Sequence, residues 1–175
     1  TQFVEANGVH YAYRRFGGEQ GVPLVFLQHF RGGMDNWDPL ITDGLAQGRP
    51  VILVNYAGVA SSSGEPATTV DGMADGIADF IQELAFASAV DVLGFSIGGF
   101  VAQSLAHRYP QFVRRLVLVG TGPRNGDRSQ DSKVLQVAAS PVPSMDDFLY
   151  LFFAPTEKSQ SAGRAFWERR HRRAD

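Results

Sequence analysis

The 175-residue chain contains no cysteine. Disulfides, thiolate metal sites and a cysteine nucleophile are therefore excluded, and the composition fits a reducing compartment such as the cytoplasm. No apolar run approaches the roughly 18 residues that a membrane-spanning helix needs, so no membrane partner is expected. The first residues, TQFVEANGVH, lack the basic-then-apolar order of a secretory signal. An excess of either charge is also missing: 16 Lys and Arg against 18 Asp and Glu give a formal net charge of −2. That balance gives no reason to expect nucleic acid or another polyanion as partner. Internal repeats and low-complexity tracts are absent too. What remains is 44% hydrophobic and 19% charged, an ordinary soluble composition at a length that suits one domain with a real core.

Several short runs read as strands. HYAYRRF (10–16) alternates ring and non-ring residues and stops at a glycine pair. PLVFLQHF (23–30), PVILVNY (50–56), AVDVLGF (89–95) and RRLVLVG (114–120) are continuous apolar runs, the mark of strands buried on both faces. Helical stretches lie between them. Residues 37–46 make a short, weak one. Residues 69–84 carry Val70, Met73, Ile77, Phe80, Ile81 and Leu84 at three- and four-residue spacing, and residues 97–109 are closed by Pro110. Buried strands alternating with helices predict an α/β fold, a mostly parallel sheet with helices on both faces. After Gly120 the rhythm breaks into a polar loop, TGPRNGDRSQDS, then short apolar pieces such as DDFLYLFFAP and an arginine-rich end.

The stretch VLGFSIGGF (92–100) sets Ser96 between Gly94 and Gly98. A serine held at the top of a parallel sheet needs the chain to turn from strand to helix within one residue. That turn forces a strained backbone and crowds the residues two places away. Glycine relieves the crowding because it has no Cβ. The serine then faces the free N–H groups and positive dipole end of the next helix. The competing reading is a helix N-cap serine after a glycine turn.

On these residues the chain resembles the α/β-hydrolase family, in its serine esterase, lipase and haloperoxidase-like branch. The resemblance runs from about residue 10 to 124, with its motifs in family order. LVFLQHFRGG (24–33) matches the oxyanion loop, VNYAGVASSSG (54–64) the loop after the next strand, DVLGFSIGG (91–99) the nucleophile elbow, and RRLVLVGTGP (114–123) the following core strand. The resemblance implies Ser96 as nucleophile, the backbone N–H groups of Phe30 and Ile97 as oxyanion donors, and His29, Gly94 and Gly98 as supporting residues. It implies no cofactor and no metal. Three positions depart from the family pattern: Phe30 and Ala60 where glycine is usual, and Asn55 where aspartate is common.

The same resemblance implies an acid and a base after Ser96, in the order Ser, Asp or Glu, His. His107 is eleven residues further along the predicted helix, about 16 Å away at 1.5 Å per residue, and cannot reach. His171 follows no strand. His10 sits on an early strand, and His29 is better placed to brace its own loop than to act as base. Asp127 is a candidate acid, whereas Asp146 and Asp147 suit a helix start. The expectation is therefore that residues 1–124 are the N-terminal part of a hydrolase core and 125–175 the start of a cap, with the remaining core lying beyond. The strand at 114–120 would then have an open edge, covered by that C-terminal segment or by a second copy of the chain. The expected function is hydrolysis of a small ester, lactone or related carbonyl substrate through an acyl-serine. The alternatives are a non-catalytic binding or regulatory protein of the same fold, or a cofactor-free haloperoxidase or perhydrolase.

Overall fold

The two most apolar runs occupy the middle of the sheet, where a strand is buried on both faces. The computed structural model describes residues 1–124, 126, 131–140, 142 and 144–170. Its strands are β1 (Gln2–Ala6), β2 (Val9–Gly17), β3 (Leu24–Leu27), β4 (Pro50–Val54), β5 (Val90–Phe95) and β6 (Val113–Val119), in the spatial order β1-β2-β4-β3-β5-β6. The β4-β3-β5-β6 pairings are parallel, and β1 and β2 pair antiparallel at one side. Every residue of β3 and β4 is buried.

Alternation along the strands builds two cores. Val25, Leu27, Ile52, Val54, Val90 and Val92 face α2 (Val70–Glu83) and α3 (Ile97–Arg108). Leu24, Phe26, Val51, Leu53 and Leu93 face the other way, toward Met34, Trp37 and Ala46 at the end of α1 (Pro39–Ala46). The mostly parallel sheet with helices on both faces thus matches the α/β expectation. Thr69 caps α2 by accepting from Gly72 N–H at 3.0 Å. Polar seams fix α2 against α3 and its end: Ser104 Oγ donates to Asp71 at 2.7 Å, and Arg108 and Tyr109 both donate to Asp75.

The structure differs from the sequence reading at three strands. β1 was not expected; it is a half-exposed edge strand, and TQFVEA carries too weak an alternation to reveal it. The run 23–30 stops being strand at Leu27, because Gln28–Phe30 leave the ladder to form the loop beside Ser96. The run 114–120 is not buried on both faces. β6 is the edge of the sheet, and Val117, Leu118 and Val119 are 43–45% exposed.

The chain divides into two compact units, 1–124 and 125–174. The second contains α4 (Ser132–Ala139), α5 (Met145–Phe152) and α6 (Glu157–Arg170). Its aromatic centre is Phe148, with the rings of Phe152, Phe166 and Trp167 at centroid distances of 5.1, 5.7 and 5.3 Å. Gly163 lets α6 approach Leu149 and Phe153, whose side chains occupy the space a Cβ would need. No helix among the described residues is long and apolar enough to cross a membrane.

One ion-pair cluster ties three segments together. Asp91, 4% exposed at the start of β5, accepts two bonds from Arg114 at 2.8 and 2.7 Å and one from Arg49 at 2.7 Å. Arg114, then Arg49, hold its carboxyl at about 2, below the usual 3.8, against the opposing effect of burial. A carboxylate lowered in the folded state stabilises above its unfolded value, and that contribution is lost as pH falls. Wild-type stability should therefore drop by roughly 2 kcal/mol between pH 5 and pH 2 from this group. Urea midpoints measured across that range should be flatter in Asp91→Asn; parallel curves would show that Asp91 does not carry the effect.

Candidate active site

Ser96 sits between β5 and α3 with φ 55° and ψ −120°, a backbone conformation that side-chain-bearing residues rarely adopt. Holding it there costs of order 1–3 kcal/mol, which the surroundings must over-determine. Backbone bonds do so: Ser96 N–H donates to the Val119 carbonyl at 3.0 Å, and Gly99 N–H donates to the Ser96 carbonyl at 2.9 Å. The glycines are steric requirements. A Cβ on Gly94 would overlap the Gly98 carbonyl, and one on Gly98 would overlap the Leu27 carbonyl and stand 2.8 Å from that of Gln28. Gly98 therefore lets α3 press directly on the end of β3. Gly99, which the sequence reading did not single out, is equally constrained: its Cβ would overlap the Thr121 side chain. The repeated glycine at 98–99 was the available signal.

The Ser96 hydroxyl makes no hydrogen bond among the described residues. The N–H of Ile97, at the first position of α3, has no intrahelical acceptor, and neither it nor the N–H of Phe30 is hydrogen-bonded among the described residues. The first turn of α3 carries no acidic side chain to neutralise its positive end.

The loop after β3 is held by short polar links. His29 Nδ1 donates to the Phe30 carbonyl at 2.8 Å, and the ring meets Phe95 edge-on at 5.6 Å. Gly32 N–H closes a turn on the His29 carbonyl at 3.0 Å. Asn36 Oδ1 accepts from Gly33 N–H at 2.7 Å, and Asn55 Oδ1 accepts from Met34 N–H at 2.8 Å. The amide of Asn55 thus makes, at a position where aspartate is common in the family, an acceptance that a carboxylate could also make. Ser62, also unremarked in the sequence, accepts from Ala12 N–H at 2.9 Å and donates to the Asn55 carbonyl at 3.0 Å. It fastens the loop after β4 to β2. Phe30 is 57% exposed, with the Arg31 guanidinium 5.6 Å from its ring centroid.

Ala60 has φ 48° in this second loop. Relieving a left-handed alanine should stabilise by about 1 kcal/mol. Ala60→Gly is expected to raise the urea midpoint, and an unchanged or lower midpoint would show that the side chain is worth more than the strain it causes.

His107 is exposed in the last turn of α3, and exposed His10 is 3.9 Å from Glu5. Asp146 and Asp147 stand in the first turn of α5, where Asp147 and Ser144 form a capping box. Asp127 and His171 lie outside the described residues.

Residues 22–174 match the family model described as alpha/beta hydrolase fold. An alpha/beta hydrolase fold protein from Chitinophaga pinensis superposes with a TM-score of 0.88 at 38% identity, over 99% of this chain and 62% of that one. Among curated relatives, proline iminopeptidase PfmaB of Pestalotiopsis fici is 34% identical across 82% of this chain and 52% of its own length. The sn-1-specific diacylglycerol lipase ABHD11 of Danio rerio is 32% identical across 67% of this chain and 38% of its own. The chain thus spans about half, or less, of the length of the curated relatives it matches. Motif order, sheet order, the turn at Ser96 and these likenesses agree, and the chain belongs to the alpha/beta hydrolase fold family.

Proposed function

We propose that the whole protein is a serine hydrolase in which Ser96 attacks the carbonyl carbon of a small ester, lactone or related substrate. The observation that carries this reading is the left-handed Ser96 between β5 and α3, a conformation that costs stability. Ser96 Oγ forms the new bond and gives its proton to a base. The carbonyl oxygen becomes negative and is held by the N–H groups of Phe30 and Ile97, each worth roughly 3 kcal/mol of barrier. The leaving group departs with a proton, and water then releases the acid from the acyl-serine. The base and its orienting acid are assigned to positions outside the described residues. Two relatives, a peptidase and a lipase in name, support the reaction class and leave the substrate open. The exposed β6 edge is proposed to be covered by a further segment of the whole protein or by a second copy of the chain.

The test is pre-steady-state hydrolysis of p-nitrophenyl acetate. An acyl-serine route predicts a nitrophenol burst approaching one equivalent per Ser96 when deacylation is slow, with an acetylated protein visible by mass spectrometry. Turnover with no acetylation of Ser96 under rapid acid quench would refute the covalent route.

A further inference from the structure

We infer that Gln103 is a positioning residue for Ser96, acting through the segment that leaves β6. Ser96 N–H donates to the Val119 carbonyl at 3.0 Å, so the strained turn leans on the last residue of β6. Among the described residues β6 pairs with β5 alone, and Val119 is 43% exposed. A strand end with one neighbour frays readily, and the restraint it places on Ser96 is only as firm as its own anchoring. That anchoring comes from the next three residues. The chain turns at Gly120, φ 52°, where a Cβ would stand 3.0 Å from the Phe95 ring. The Thr121 side chain then fills the space over Gly99, and the Gly122 carbonyl meets the side chain of Gln103.

Gln103 stands on α3, the helix that Ser96 opens. Its Nε2 donates to the Gly122 carbonyl at 2.9 Å and to the Gly99 carbonyl at 3.1 Å. Both partners are acceptors and an amide NH2 has two hydrogens, so the pair uses the whole donor capacity of the group and fixes which way it faces. The result is a closed ring. It runs from Ser96 N–H to Val119, along the chain to Gly122, across to Gln103 and back through α3 to Ser96. Opening the ring at Gln103 leaves Val119 to hold Ser96 from an unpinned strand end. Neither Gln103 nor residues 119–122 border the cavity beside Phe30 and Ile97, so the effect falls on the placement of Ser96 Oγ and not on the binding of substrate. Misplacing a reacting group by about 1 Å can cost about 10²-fold in rate. That link to rate rests on the function proposed above; the hold on the Ser96 backbone does not.

The experiment compares the whole protein with three variants at this position. Gln103→Met keeps the length and removes the donors, Gln103→Glu turns a carboxylate toward two carbonyl oxygens, and Gln103→Lys keeps a donor that can reach them. Ser104→Ala is the control, because it removes the 2.7 Å bond to Asp71 from the next position of α3 without touching residues 119–122. Hydrogen exchange at the Ser96 amide reads the hold directly. Gln103→Met and Gln103→Glu should quicken it by at least about tenfold, and Gln103→Lys and Ser104→Ala by less than about threefold. In Gln103→Met the maximal rate of fluorophosphonate labelling should fall by about tenfold, with the half-saturating probe concentration within about twofold of wild type. Tm should fall by a few degrees in both Gln103→Met and Ser104→Ala, so lost stability does not account for the difference. A purely structural Gln103 predicts a lower Tm with Ser96 exchange and labelling unchanged, and that result would overturn the inference. Equal effects of Gln103→Met and Ser104→Ala on exchange, or a Ser96 amide already unprotected in wild type, would do the same. Wild-type protein that takes no label while exchange follows the expected order would sink the hydrolase reading and leave the hold on Ser96 standing. Normal labelling with exchange unaffected by Gln103→Met would do the reverse.

Discussion

Ser96→Ala should lower ester turnover by roughly 10⁴-fold or more while leaving the stability of the protein almost unchanged. The two halves of that expectation have different causes. Activity falls because no other group can form the acyl bond; what survives is the contribution of the Phe30 and Ile97 N–H groups, which in comparable sites leaves roughly 10³–10⁴-fold over water. Stability holds because the Ser96 hydroxyl makes no hydrogen bond among the described residues, and alanine bears the same Cβ at φ 55°. Ser96→Gly separates strain from chemistry. It should be as inactive as alanine yet more stable by about 1 kcal/mol, since glycine accepts a positive φ without penalty. Urea denaturation beside nitrophenyl ester assays checks both. An alanine variant within tenfold of wild-type turnover would remove Ser96 from the chemistry, and a destabilised glycine variant would remove the strain argument.

Gly98→Val should be the most destabilising single change in the turn. The new Cβ would overlap the Leu27 carbonyl, and its branches would meet the end of β3, where nothing is flexible. The clash is with backbone on a fully buried strand, so relief requires α3 to move away from β3. A loss of at least about 3 kcal/mol, or insoluble protein, is expected. Gly99→Val should be milder, because a Cβ there meets the Thr121 side chain, which can turn aside. Melting temperatures of the two variants give the ranking, and a well-folded Gly98→Val of normal Tm would show that α3 does not press on Leu27 as described.

Much of this architecture was legible because each element carried a strong local signal. β3 and β4 are short unbroken apolar runs, and α2 shows an apolar stripe at helical spacing ended by ordinary caps. The turn at Ser96 was readable because only glycine tolerates contact with a neighbouring carbonyl, so a tight turn at one position leaves marks at two others. What escaped was non-local. β1 exists because β2 offers it a partner, and nothing in Gln2–Ala6 itself demands a strand. β6 has the composition of a strand buried on both faces; its open edge was expected from the break in the pattern after Gly120, its exposed faces were not. The Arg49–Asp91–Arg114 cluster joins residues 42 and 23 apart, a pairing that sequence spacing does not express. Asn55 was noticed only as a departure from the family pattern; its role in holding Met34 N–H emerges from the packing of β4's end against the loop after β3.

The central claim is that Ser96 is an activated nucleophile. A fluorophosphonate probe tests it most directly, because it forms a stable bond to an activated serine and ignores ordinary hydroxyls. Whole protein treated with the probe should gain one adduct, mapped by peptide mass spectrometry to the segment containing VLGFSIGGF, and the adduct should be absent from Ser96→Ala. Whole protein that folds normally but leaves Ser96 unmodified, or an adduct that persists in the alanine variant, would contradict the account.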